Sequence, residues 1–213
     1  MDLVSTLGRT LGFSLAAGVN LYATVAMLGL AAHYGFVDLP PQFALFDNWW
    51  IIGLALTLYV VEFVADKVPW IDTLWDTAHT VVRPLGGALI AVSTLGEASP
   101  WLQGIAALAG GTLAAGGHLT KAGTRAAANM SPEPFTNWAL SLAEDVFVVG
   151  LGALALAYPV AALAVTTVAV VVIAGAPGAR ERQSGLLLHH QARDIDTQLA
   201  VFREITCDQA VLT

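Results

Sequence analysis

The chain has 213 residues, of which 56% are hydrophobic and 12% charged, with a mean hydropathy of +0.69. A soluble domain averages about 25% charged residues, so this composition predicts an integral membrane protein in the lipid bilayer. The net charge of −7 says little about partners, but the placement of the acids in the central motif, at Glu144-Asp145 and on the tail argues against nucleic acid, and the single cysteine, Cys207, excludes an intrachain disulfide or a multi-cysteine metal site.

In chain order, the apolar runs predict an all-α, polytopic fold of about six transmembrane helices. The first span covers residues 11–32 and is read as a span, not a signal peptide, because no small-residue cleavage site follows it. A loop with His33, Asp38 and Asp47 leads to the second span, from Trp49 into Glu62 and Asp66. The third runs from about Val81 to Gly96 and the fourth from Trp101 to Gly117 or beyond, before a loop carrying Lys121, Arg125 and Glu133. Residues 146–179 are uncharged and too many for one span, and Pro159 marks a break. Two spans of about 20 residues each then require the fifth to begin near Asn137, with Glu144 and Asp145 about two turns inside it. The transmembrane domain is residues 1–179, in halves of about 10–98 and 99–178, and residues 180–213 form a tail.

Charge sets the orientation. With six spans and a cytoplasmic N-terminus, all nine basic residues (Arg9, Lys67, Arg83, Lys121, Arg125, Arg180, Arg182, Arg193 and Arg203) fall on the inner side, and both termini are cytoplasmic. Trp49, Trp50 and Trp101 then lie at outer span ends, and Trp70, Trp75 and Trp138 at inner ends, where such rings favour the interface.

Three matches in the same order suggest an inverted 3+3 repeat. LAAGVNL at 15–21 recurs as LAAGGHL at 113–119, Asn48-Trp49 recurs as Asn137-Trp138, and the run from Pro84 resembles that from Pro159. Inverted repeats are common among secondary transporters. Against this, apolar spans rich in Ala, Gly and Leu resemble one another by composition alone.

The stretch EFVADKVPWIDTLWDTAHTVVRP, residues 62–84, concentrates the ionisable groups Glu62, Asp66, Lys67, Asp72, Asp76, His79 and Arg83. The uncharged runs beside it cover only about 20 Å of a hydrocarbon core of about 30 Å, so some of these charges must sit at membrane depth or its edge. Ionisable groups there are costly and are functional candidates. Across residues 70–83, Ile71, Leu74, Trp75, Ala78 and Val82 share one helical face, and Asp72, Asp76, His79 and Arg83 share the opposite one. This predicts either an interfacial amphipathic helix or a re-entrant helix whose polar stripe lines a path.

Glu62, Asp66, Glu144 and Asp145, with Asn20 in the first span, are the candidate proton or ion sites. Structural ion pairing is the alternative for the acids, and helix bridging for Asn20. Lys67, Arg83, His118, Lys121 and Arg125 are the groups that would balance their charge or meet an anion. Asp72, Asp76 and His79 are candidate ligands for a bound divalent cation, at spacings that are not diagnostic. No other cofactor is expected. The sequence contains no nucleotide-binding glycine loop, GxSxG or HExxH. The paired His189 and His190 and the amphipathic spacing of Ile195, Leu199, Phe202 and Ile205 in the tail carry no function by themselves.

The segments GVNLYAT, EFVADKVPWIDTLWDTAHTVVRPLGGAL, HLTKAGTRAAAN and LAEDV together resemble the bacterial membrane proteins of domain of unknown function 4126. The likeness covers about residues 10–175. It implies an inner-membrane helical protein and points to Asn20, Glu62, Asp66, Lys67, Asp72, Asp76, Arg83, Lys121, Arg125, Glu144 and Asp145 as its motif residues. It implies no substrate. The functional expectation is a small transporter or channel for a cation, a divalent metal or a proton-coupled solute, with a homo-oligomer left open. A scaffold with structural ion pairs, and a flippase or enzyme acting on a lipid phosphate, are the alternatives.

Overall fold

Proline and asparagine set the helix boundaries. The computed structural model describes residues 3–36, 41–129 and 134–175. Its elements are α1 Leu3–Val19, α2 Leu21–Tyr34, a 3-10 turn Pro41–Leu45, α3 Trp49–Ala65, α4 Pro69–Leu95, α5 Pro100–Asn129, α6 Pro134–Ala157 and α7 Pro159–Gly175. There is no strand among the described residues, so the fold is all-α. Proline opens α4, α5, α6 and α7, a position where its missing N–H is no loss. Asn48 caps α3, its side-chain oxygen accepting from the Trp50 N–H at 2.8 Å. At the end of α2, Gly35 takes the left-handed φ of 61° that closes a helix, and Phe36 N–H returns to the Ala31 carbonyl at 3.2 Å.

Several expectations are corrected. The first span is broken: Asn20 has extended backbone (φ −145°, ψ 100°), and its side chain accepts from the Ala23 N–H at 2.9 Å to cap α2. A side-chain oxygen that satisfies an orphan amide makes such a break tolerable in an apolar run. The helix expected near 70–83 is not separate. It is the first half of α4, continuous through Pro84 into the expected third span. Lys121 and Arg125 lie on α5, not in a loop, because the Ala-rich run continues the helix to Asn129.

The three sequence matches also occupy different local structure. Asn20 stands at a break, whereas 113–119 is unbroken helix; Asn48 is a cap, whereas Asn137 lies inside α6; Pro84 is inside α4, whereas Pro159 begins α7. The tail from Arg180 onward, with His189 and His190, and Asp38 and Glu133, lie outside the described residues.

Small residues draw α1, α4 and α5 together. A Cβ on Gly18 would fall 2.3 Å from the Ala114 carbonyl oxygen, and one on Gly110 would fall 2.7 Å from that of Gly87. Backbones that close require glycine, and close approach is how helices associate without a hydrophobic drive. Beside them, Phe13, Leu15, Leu28, Ile90, Val148 and Leu151 form the buried apolar core. The rest of the molecule is inverted relative to a soluble fold. Large apolar side chains such as Leu54, Val64, Leu89, Leu108, Val146 and Val171 are exposed, while Glu62, Arg83, Lys121 and Arg125 are buried. Two helical segments, Trp70–Leu95 and Phe135–Ala157, are long and apolar enough to cross a membrane by length and composition.

Candidate functional site: a buried ion network

Side chains of α3, α4, α5 and α6 supply the network. On α3, Glu62 and Asp66 are one turn apart and point to the same space. Glu62 is fully buried, and its Oε1 accepts from Arg83 Nη2 of α4 and from Lys121 Nζ of α5, each at 2.8 Å. Asp66, the C-cap of α3, accepts at Oδ2 from Lys121 Nζ at 3.2 Å and from Arg125 Nη2 at 2.9 Å. Arg125 Nη1 also donates to the Asp66 main-chain carbonyl at 2.7 Å. A guanidinium there satisfies an orphan carbonyl and meets the negative end of the helix dipole.

Glu144 on α6 closes the network. Arg125 grips it bidentately, Nε to Oε1 at 3.0 Å and Nη2 to Oε2 at 2.7 Å. Lys121 Nζ stands 3.5 Å from the same Oε2, so one ammonium faces three carboxylates at 2.8, 3.2 and 3.5 Å. Asp76 joins from α4, its Oδ1 3.4 Å from Arg83 Nη1. In these pairs, four carboxylates (Glu62, Asp66, Asp76 and Glu144) meet three cations (Arg83, Lys121 and Arg125). Glu62 Oε2, Asp66 Oδ1 and Arg83 Nε are buried without a hydrogen-bond partner. A proton added to either oxygen displaces no donor.

Two histidines flank the network, and their neighbours fix their tautomers. Arg83 Nη1 donates to His118 Nδ1 at 2.8 Å. Because arginine only donates, His118 carries its proton on Nε2, which faces Thr80 Oγ1 at 3.2 Å. Thr80 in turn donates to the Asp76 carbonyl at 3.1 Å. His79 Nδ1 donates to the Trp75 carbonyl at 2.7 Å, leaving Nε2 to accept from the Tyr22 hydroxyl at 2.7 Å. Trp75 stacks on His79 at 4.6 Å between ring centroids and is not an outward-facing interfacial ring. Both His79 nitrogens are thus engaged, by Trp75 and Tyr22. No group of three or more His, Cys, Asp or Glu among the described residues is placed to hold a metal. Asp72 is buried on the same inward stripe, and the apolar residues Leu74 and Val82 of α4 face outward.

The remaining candidates lie beside this centre. Asn20 Nδ2 approaches Asp145 Oδ1 at 3.4 Å, and the Tyr59 hydroxyl also bonds Asp145. Asp145 and Glu144, about 100° apart on α6, therefore serve different partners. Lys67 is outside the network. Its Nζ donates to the Phe63 carbonyl at 2.7 Å and lies 3.0 Å from the Phe63 ring centroid and 5.5 Å from that of Trp138. Burial lowers the pKa of this ammonium from the ordinary lysine value, against the opposing pull of Asp66. Tyr22, Tyr59 and Thr80 were not among the sequence candidates, since single hydroxyl groups in apolar helices carry no distinctive spacing.

The chain is similar, at 65% identity over 43 residues, to an indole-3-pyruvate decarboxylase of Azospirillum brasilense. That match covers 20% of this chain and spans 8% of the length of the decarboxylase. So short a stretch carries no activity across. No solved structure matches. Residues 7–176, which hold every helix that builds the network, match the family described as Domain of unknown function (DUF4126), and the chain belongs to that family.

Proposed function

We propose that this protein is a multi-pass carrier of the bacterial inner membrane that moves a cationic solute in exchange for protons, with the Lys121 network as its coupling element. In this topology the broken pair α1–α2 makes one crossing and α3 to α7 make five more, giving six. Both termini lie in the cytoplasm. The inverted repeat is not needed for this reading.

One observation carries the proposal. Lys121 is shared among Glu62, Asp66 and Glu144, within a cluster holding more carboxylates than cations. A shared ammonium has several pairings of similar length, and protonation of one carboxylate releases it toward the others. That is the bistable element a coupled carrier requires. The apolar exterior supports burial of the cluster in lipid. Of the four cations of the lipid-phosphate reading, Lys67, Arg83, Lys121 and Arg125, the last three are engaged by carboxylates, which weighs against it.

The test is a panel of inorganic and small organic cations, offered to proteoliposomes under an imposed pH gradient. Uptake of a cation that collapses with the gradient, and is lost in folded Glu62→Gln, is the expected result. Uptake of none of them would leave the scaffold reading, with purely structural ion pairs.

A further inference from the structure

Next to the network lies an open cleft of about 270 Å³ between α1, α5, α6 and α7, lined by Leu15, Leu140, Phe147 and Ile173 and by Lys121 and Glu144 of the network. We infer that this cleft binds a small amphipathic cation, an aryl or alkyl ammonium, with its apolar body on those apolar side chains and its charged head on Glu144. The inference deepens the carrier reading by naming a substrate class, and rests on it only for the claim that the ligand is transported.

Size and shape come first. A cavity of about 150 Å³ lined by apolar side chains accommodates benzene, so this volume holds a six-membered ring with a short arm. The hydroxyls of Thr120 and Thr124, also at the lining, are turned back on the Gly116 and Thr120 carbonyls at 2.8 Å each. They make no strong demand on a ligand, and the wall stays effectively apolar.

Charge selects the head group. The Glu144 side chain is 13% exposed, against 1% for Lys121, so the polar end presents a carboxylate. An incoming ammonium replaces only the 3.5 Å contact from Lys121, the longest of that residue's three. Glu144 keeps both hydrogen bonds from Arg125, and Lys121 keeps Glu62 and Asp66. An anionic head would meet Glu144 and a cluster already in carboxylate excess.

The experiment is calorimetric titration of the full chain in lipid nanodiscs with 2-phenylethylammonium, with 3-phenylpropanoate as the anionic counterpart. Saturable binding of the ammonium and none of the carboxylate is expected. Binding should weaken at least tenfold in Glu144→Gln, and equally in Ala143→Phe, which fills the cleft from an exposed position. Both variants are compared at matched melting temperature. Absent ammonium binding, equal binding of the carboxylate, or unchanged binding by Ala143→Phe would overturn the site. Proton flux in vesicles separates the two ideas. Flux that depends on Glu62 without ammonium binding removes the site and leaves the carrier. Binding without flux supports the site and removes the carrier.

Discussion

Arg83 donates to His118 Nδ1 at 2.8 Å, so a guanidinium and an imidazole sit side by side in the interior with the imidazole as acceptor. A protonated His118 would have no acceptor to offer. His118→Leu strands a buried guanidinium N–H at a cost of about 1–3 kcal/mol, whereas His118→Gln retains an acceptor and should lose less. Chemical denaturation in detergent, comparing the two variants, measures this; equal losses would mean the bond contributes nothing. Nitrogen NMR of labelled histidine should find the proton on Nε2 of His118.

Lys121 is the common partner of three carboxylates. Lys121→Met leaves them facing one another in a buried site, and breaking such a pair costs about 3–5 kcal/mol. Adding Glu62→Gln removes one of the stranded charges and should recover part of the loss, with a coupling of about 0.5–3 kcal/mol. Lys67→Met, which removes the contacts to Phe63 and Trp138, should cost much less. Melting temperatures of wild type, Lys121→Met, Glu62→Gln, their double variant and Lys67→Met decide this. Additive effects of the Lys121 and Glu62 changes would contradict the shared-cation geometry.

Helix contacts through glycine separate permitted from forbidden positions. Gly18→Ala puts a Cβ 2.3 Å from the Ala114 carbonyl and should destabilise strongly. Gly104→Ala meets nothing within 4 Å and, in a helix interior, should be neutral or stabilising by up to about 1 kcal/mol. Thermal unfolding of the two variants tests the α1–α5 contact directly.

Asn20 joins the α1–α2 break to Asp145. Asn20→Ala removes the cap on α2, a loss of about 0.5–2 kcal/mol, together with the contact to Asp145. Asn20→Asp retains a capping oxygen but sets a second carboxylate beside Asp145. The Asp variant should therefore recover stability as pH falls and the pair takes up a proton, while the Ala variant should not. A melting series across acidic pH distinguishes them.

What was legible in the sequence follows from local chemistry. Helical character, the break at Pro159 and the shared face of Asp72, Asp76, His79 and Arg83 are written in apolar runs, proline and spacing of three and four. That one of Glu144 and Asp145 would need a partner followed from their expected depth in the fifth span, which left Lys121, Arg125 and His118 as the choices; His118 pairs with Arg83 instead. The break at Asn20 was not legible. Its signal is one capping side chain inside an apolar run, where Asn serves equally well as a bridge between helices. The continuity of α4 was also hidden, because the charged stripe of 70–83 reads as a separate interfacial or re-entrant helix when the partners that bury it are unseen. Orientation of the polar stripe required the tertiary partners Glu62, His118 and Tyr22, which come from three other helices.

The most direct test of the central claim is proton movement across vesicles carrying the purified protein, read from an entrapped pH-sensitive dye under an imposed gradient. Wild type should dissipate the gradient faster in the presence of the transported cation, and folded Glu62→Gln and Glu144→Gln should not. A wild type no faster than empty vesicles, with every cation tried, would contradict a proton-coupled role for the Lys121 network.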